Sequence, residues 1–204
     1  MRDLFSSDLK MSSIPMEDAD VSFLVQFPMP LSNDSIFEKL NSETKWLHEE
    51  IVVWGKRHLQ PRLTAWYGDP GRSYTYSGTV MFPMPWTNLL LSIKRELESI
   101  VDARFNSVLL NLYRDNNDSM GFHSDNEPSL GKEPTIASLS YGATRTLLFK
   151  HKKKVDLPVK AISLTSGSMM LMQGPTQSFW KHGINKESKR CDSRINLTFR
   201  NILK

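Results

Sequence analysis

The sequence predicts an α+β fold: a double-sheet barrel of the jelly-roll type with two helices on one face. Two observations carry this. The N-terminal half has two segments with apolar residues at helical spacing, and six short strand candidates crowd the stretch after Phe105. There is also no internal repeat and no second-domain boundary, so the 204 residues read as one domain, long enough for a real core.

Taken in order, residues 1–20 are polar and read as a flexible leader ahead of a single domain over 21–204. In "LSNDSIFEKLNSETKWL", Ser32 and Asn33 are capping candidates, and Ile36, Phe37 and Leu40 follow at helical spacing. The next stretch, "IVVWGKRHLQPRLTAWYGDPGRSYTYSGTVMFPMPW", has turn signals at Asp69-Pro70-Gly71 and several aromatics, which predict hairpin and loop. Thr87 then caps a second helix with the apolar stripe Leu89, Leu90, Ile93, Leu97 and Ile100. From Phe105 the pattern changes. "FNSVLLNLYR", "TIASLSYG", "TRTLLFKH", "VKAISL", "SMMLMQ" and "RINLTFR" are aliphatic or β-branched runs of strand length, separated by turn residues.

Composition narrows the class. Apolar residues make up 39% and charged residues 24%, ordinary for a globular domain. The apolar clusters "LLLSI" and "MMLM" fall far short of the ~20 residues a membrane span needs. "MRDLFSSDLKMSS" lacks the apolar region of a signal peptide, and Asp3 and Asp8 argue against a transit peptide. A lone Cys191 makes no internal disulfide, which fits a reducing compartment: cytoplasm in a bacterium, nucleus in a eukaryote. The net charge of +4 favours an anionic partner, and "FKHKKK" and "WGKRHLQPR" concentrate the positive charge.

The chemistry begins at "SMGFHSDNEPSLG". In an extended segment His123 and Asp125, two apart, point to the same side and can reach one metal ion. H-x-D alone is a weak motif. The last strand adds to it: Ile195, Leu197 and Phe199 take one face, while Arg194, Asn196, Thr198 and Arg200 take the other. Asn111 and Tyr113 alternate with Leu110 and Leu112 in the same way. Two such strands can line an interior pocket, and paired arginines suit a small dicarboxylate. Among the remaining histidines, His48 ends a helix, His58 lies in a basic loop and His151 sits among lysines. His182, before a turn and twelve residues ahead of Arg194, is the best third ligand. Two His and one carboxylate with open positions describe the facial triad of non-haem iron, with zinc as the competitor. The dicarboxylate pocket favours iron with 2-oxoglutarate.

The stretches "QPRLTAWYGDPGRSYTYSG", "FNSVLLNLYRDNNDSMGFHSDNEPSLG", "IASLSYGATRTLLFKHK" and "RINLTFR" together resemble the AlkB family of Fe(II)/2-oxoglutarate dioxygenases, in its nucleic-acid repair branch. The resemblance implies a double-stranded β-helix with an N-terminal nucleotide-recognition lid, here about residues 50–85. It implies iron held by His123, Asp125 and His182. It also implies 2-oxoglutarate held by Asn111, Tyr113, Arg194 and Arg200, with Asn196 and Thr198 in support. Of the two arginines, Arg194 takes the far carboxylate and Arg200 lies nearer the chelating end. Two positions depart from the family pattern: Asn126, where relatives commonly carry a second Asp, and Phe122, where many have Trp.

The chemistry implied is oxidative demethylation of 1-methyladenine and 3-methylcytosine using O2. The partner would be DNA, with RNA left open, handled by a monomer without a membrane. In this resemblance Tyr76 stacks on the flipped base with His123 opposite, and Tyr74 shares its strand face. Asn126 and Glu127 lie beside the base, where Glu127 can attract a cationic methylated ring. Trp54, ahead of Gly55 and Lys56, falls at a wedge position, although a tryptophan after "IVV" also suits a core. Lys56, Arg57 and Arg62 are phosphate-contact candidates. Two rivals share the scaffold: a 2-oxoglutarate-dependent protein hydroxylase and a non-catalytic nucleic-acid binder.

Overall fold

A computed structural model describes residues 11–53, 55–71, 74–76 and 79–203. In chain order it contains β1 (Ser12–Ser13), β2 (Asp20–Leu24), α1 (Asn33–Glu43), β3 (Glu50–Val53), β4 (Lys56–Leu59), β5 (Leu63–Gly68), β6 (Tyr74–Tyr76), β7 (Thr79–Met81) and α2 (Asn88–Ile100). There follow β8 (Ser107–Tyr113), β9 (Met120–His123), β10 (Ile136–Gly142), β11 (Arg145–His151), β12 (Lys160–Leu164), β13 (Met169–Gln173), α3 (Thr176–Phe179), β14 (Trp180–Ile184) and β15 (Arg194–Arg200).

Both expected helices form where their caps place them. The Ser32 side chain accepts from the Ser35 N–H, and Thr87 accepts from Leu90 N–H, each at 3.2 Å. At 11 and 13 residues, neither helix would persist alone. They are held by burying Ile36 and Leu40 from α1 and Leu90, Ile93 and Leu97 from α2. At roughly 1.5–3 kcal/mol per fully buried aliphatic side chain, packing outweighs helix propensity.

The larger sheet has seven strands in the order β1-β2-β13-β10-β15-β8-β5, and the smaller has four, β12-β11-β14-β9. On the larger sheet, Ile195, Leu197 and Phe199 pack with Val108, Leu110 and the helices. A second apolar cluster joins the two sheets, combining Tyr113, Met170 and Met172 with Leu147, Phe149, Ile162 and Trp180. The polar residues of β15 therefore face the space between sheets. Register extends that polar face sideways: Asn196 lies opposite Asn111 on β8 and Ser140 on β10, and Arg194 lies opposite Tyr113.

Besides the two-residue β1, four strands go beyond the sequence expectation. β5, within the stretch expected as hairpin and loop, pairs with β8 along its whole length. β2, β9 and β14 are short, and the last two carry glycine, so their propensity signal is weak until neighbours pair with them. The expected leader also needs correction. Residues 11–19 do not hang loose: β1 pairs with β2, Ile14, Met16 and Ala19 pack on the inter-sheet cluster, and Trp180 Nε1–H donates to the Glu17 carbonyl at 2.8 Å. Hairpins β3–β4 and β6–β7 occupy the stretch expected as a lid.

Candidate functional site

β9 and β14 pair so that His123 lies directly opposite His182, with ring centroids 4.4 Å apart. The strands approach closely because Gly183 has no side chain: a Cβ there would sit 2.9 Å from the Met120 carbonyl oxygen. Asp125 follows β9 in irregular backbone and is 2% exposed. One ligand atom from each of His123, Asp125 and His182 falls within 4.8 Å of the others, so the structure brings the three candidate ligands together. His123 Nδ1 lies 2.9 Å from the Gly121 carbonyl. That bond puts the proton on Nδ1 and leaves the Nε2 lone pair toward the carboxylate, the arrangement a metal-bound imidazole needs.

Electrostatics favour the same state. Burial, with the neighbouring His123 in support, pulls His182 down to about 3, so its imidazole is neutral at ordinary pH. Burial works against the Asp125 charge, but Arg200, helped by the two imidazoles, more than offsets it and holds the carboxyl below its usual range. Arg200 Nη2 donates to Asp125 Oδ1 at 2.6 Å.

An inner cavity is lined by these three residues together with Asn111, Tyr113, Arg194, Asn196, Thr198 and Arg200. Every residue expected at a dicarboxylate lies on its wall. Arg194 is 1% exposed, and its Nη2 donates to Ser140 Oγ at 2.9 Å. Burial lowers its guanidinium to about 10, still fully charged at neutral pH. The Nε and Nη1 of Arg194 and the Nε of Arg200 are buried with no hydrogen-bond partner among the described residues. Unpaired buried guanidinium N–H groups are costly, so this cavity suits an anion. Asn196 is already engaged, donating to Ser138 Oγ at 2.8 Å and the Leu139 carbonyl at 3.0 Å while accepting from Thr198. These two residues brace the wall.

An outer cleft of about 430 Å³ adjoins the centre and shares Met120, His123, Asp125 and Arg200 with the inner cavity. Glu49, Arg62, Thr64, Trp66, Phe82, Phe122 and Glu127 also line it. The volume suits a ligand of about the size of a nucleobase or larger. Gly55 and Lys56 sit exposed on the β3–β4 hairpin, and Asn126 is exposed; none of them lines either cavity. Trp54 lies outside the described residues. Tyr74 and Tyr76 are placed on β6 by their backbone, and their side chains lie outside the description.

Arg62, a phosphate-contact candidate by sequence, lines the outer cleft and donates from Nε to Asn111 Oδ1 at 2.7 Å, fixing that amide at the cavity wall. The lysine run is partly structural as well: Lys152 Nζ donates to the Gln177 carbonyl at 2.7 Å, and Lys154 pairs with Glu17 and Asp18. His151 accepts from the Lys153 and Lys154 amides, and His48 is engaged by the Gln60 carbonyl. Sequence reasoning missed Ser138 and Ser140, although alternation in "IASLSYG" puts both on one face. It also missed buried Arg145, which donates to the carbonyls of Asp115, Asp118 and Asn185 and to the Glu187 carboxylate. These bonds tie together the loops following β8 and β14, and no local pattern signals them.

Comparison with known proteins agrees with this geometry. The 2OG-Fe(II) oxygenase superfamily model matches residues 20–200. A Bos taurus protein, "Alpha-ketoglutarate-dependent dioxygenase alkB homolog 3", is 42% identical over 179 residues, covering 83% of this chain and 61% of its own length. The Homo sapiens "DNA oxidative demethylase ALKBH2" is 36% identical over 199 residues, covering 93% of this chain and 76% of its own. The chain thus spans about three fifths of the homolog 3 relatives it matches. A solved structure, "The structure of OsALKBH1", superposes with a TM-score of 0.63 over 94% of this chain and all of that one, at 18% identity, and supports the fold. No helix among the described residues is long and apolar enough to cross a membrane. With the family match spanning nearly all of the two-sheet fold, the chain belongs to the 2OG-Fe(II) oxygenase superfamily and, within it, to the AlkB homologues.

Proposed function

We propose that this chain is an Fe(II)- and 2-oxoglutarate-dependent demethylase of N-alkylated nucleic-acid bases, acting on 1-methyladenine and 3-methylcytosine. The observation that carries this is the position of the His123–Asp125–His182 cluster between two spaces. On one side lies a polar cavity with unpaired guanidinium groups, and on the other a base-sized cleft. The names of the relatives, an alpha-ketoglutarate-dependent dioxygenase and a DNA oxidative demethylase, support the same activity.

His123 and His182 would offer Nε2 to the metal, and Asp125 a carboxylate oxygen. Arg194 binds the far carboxylate of 2-oxoglutarate, with the Ser140 hydroxyl steadying the guanidinium. Arg200 keeps Asp125 ionised beside the chelating end. Asn111, oriented by Arg62, presents its amide N–H groups to the co-substrate. When iron is bound, the centre uses O2 and 2-oxoglutarate to hydroxylate the N-methyl carbon, yielding succinate, CO2, formaldehyde and the restored base. Glu127, in the outer cleft, favours a base made cationic by methylation. Tyr76 on β6, with Tyr74 beside it, stacks on the base opposite His123, and Trp54 wedges the step that the base leaves. Gly55 and Lys56 on the exposed β3–β4 hairpin meet the backbone, and exposed Asn126 follows Asp125 directly in the chain.

The test is incubation with Fe(II), ascorbate, 2-oxoglutarate and a methylated oligonucleotide, read as a loss of about 14 Da, one CH2. Activity should vanish in His123→Ala and Asp125→Ala. Tyr76→Ala should lose base repair while keeping uncoupled 2-oxoglutarate turnover; loss of both with iron still bound would remove Tyr76 from the base site. Methylated single-stranded DNA, duplex DNA and RNA assayed side by side identify the polymer. No repair of any of them overturns the reading.

A further inference from the structure

Asp125 lies in irregular backbone beyond the end of β9, so no strand ladder holds its main chain. Its N–H donates instead to the side chain of Gln177, reaching Oε1 at 3.0 Å. Gln177 is 1% exposed and lies on α3, in the connection that leads from β13 into β14. One residue earlier, the Ser124 hydroxyl donates to the Trp180 carbonyl at 2.7 Å. Two hydrogen bonds therefore fasten the segment bearing Asp125 to the segment that delivers His182.

The glutamine amide has only one orientation that works. Its Nε2 lies 3.4 Å from Met172 Sδ, a weak acceptor, while an N–H turned toward Asp125 would face another donor. α3 is itself anchored. Lys152 Nζ donates to the Gln177 carbonyl at 2.7 Å, and the Thr176 hydroxyl bonds main-chain atoms of Asp20 and Gln173. A primary amide buried beside methionine is costly unless it is used. The Asp125 N–H is that use.

We propose that Gln177 is a positioning residue for the metal centre: its side-chain oxygen fixes the Asp125 backbone and thereby sets where the carboxylate meets the two imidazoles. The inference rests on the metal-binding reading of the triad. Groups that orient a ligand in this way typically matter by 10–100-fold in metal affinity. Gln177 differs from Arg200, which acts on the carboxylate itself, because it acts only through the main chain.

The test is Co(II) titration of metal-free protein by calorimetry and visible absorption, alongside melting of the metal-free form. Gln177→Met keeps the length and removes the acceptor. It should weaken Co(II) binding about 10–100-fold and alter the Co(II) absorption bands in a metal-free form that still melts cooperatively. Gln177→Glu, buried and neutral, keeps an acceptor oxygen and should restore affinity to within about threefold of wild type. If Gln177→Met does not fold, Gln177→Asn, one methylene short, should show the same loss. Unchanged affinity in the variant lacking the acceptor, or equal loss in the glutamate variant, overturns the positioning role. Wild-type protein that fails to bind Co(II), or a His123→Ala variant that binds it as well, instead overturns the metal centre on which the role depends.

Discussion

Arg200 Nη2 lies 2.6 Å from Oδ1 of Asp125, so a candidate iron ligand and a candidate co-substrate residue form one ion pair whose carboxylate is 2% exposed and whose guanidinium is 15% exposed. Asp125 Oδ2 lies 3.8 Å from His182 Nε2. The guanidinium therefore engages one carboxylate oxygen and leaves the other facing the imidazole.

Breaking that pair should be expensive. Arg200→Met leaves Asp125 buried beside no cation, which typically costs about 3–5 kcal/mol. Asp125→Asn combined with Arg200→Met should cost less than the sum of the two singles, with a coupling of about 1–3 kcal/mol by urea unfolding of metal-free protein. Strict additivity would mean that the pair does not couple in solution.

Arg194 offers a different readout. Its Nε and Nη1 make no hydrogen bond among the described residues, with the Tyr113 ring centroid 5.1 Å from the guanidinium carbon, and a carboxylate would supply an acceptor. Charge-assisted bonds of this kind contribute about 1.5–3 kcal/mol, so Arg194→Met should weaken 2-oxoglutarate binding about 10–150-fold. Binding of Mn(II) should change little. Calorimetry on anaerobic Mn(II)-loaded protein separates the two, and unaltered 2-oxoglutarate affinity would place the co-substrate elsewhere.

The buried imidazole makes the metal-free protein acid-sensitive. His182 is lowered to about 3 in the fold, against roughly 6.5 in an unfolded chain. Between these values the unfolded state binds the extra proton, so stability is fully present above about pH 6.5 and is lost as pH falls toward 3. Melting of metal-free wild type should drop across this window more steeply than melting of His182→Gln. Parallel curves would mean that His182 is already solvated.

Gly183 tests the strand contact that sets the ligands side by side. Gly183→Ala puts a methyl where Met120 O lies 2.9 Å away and Phe122 N 3.1 Å away, both backbone atoms with little freedom to move. Strain of about 1–3 kcal/mol should appear as a lower melting temperature, and Mn(II) should rescue less of it than in wild type. A variant as stable and as responsive to Mn(II) as wild type would show that β9 can shift without disturbing the centre.

Several parts of this picture are legible in the order of residues alone. Ser32 and Thr87 mark their helices because capping is local chemistry. The two faces of "RINLTFR" could be read because a strand alternates with period two. β9 and β14 were not legible, since "MGFH" and "WKHGI" carry too little alternation to announce a strand. Arg62 looked like a phosphate contact from its basic neighbours, and only β5–β8 pairing turned it toward Asn111.

The chain's own order of residues therefore determined its class, its helices, its polar-faced strands and the short set of candidate groups for a metal and a diacid. Tertiary structure decided which of these groups meet. Arg200 reaches Asp125 across 75 positions, Gln177 reaches it across 52, and Arg62 reaches Asn111 across 49. The physical reason is register. Periodicity and capping are set by residues a few positions apart, whereas partners this distant are chosen by how strands pair, and a slip of one residue would turn every such side chain to the opposite face.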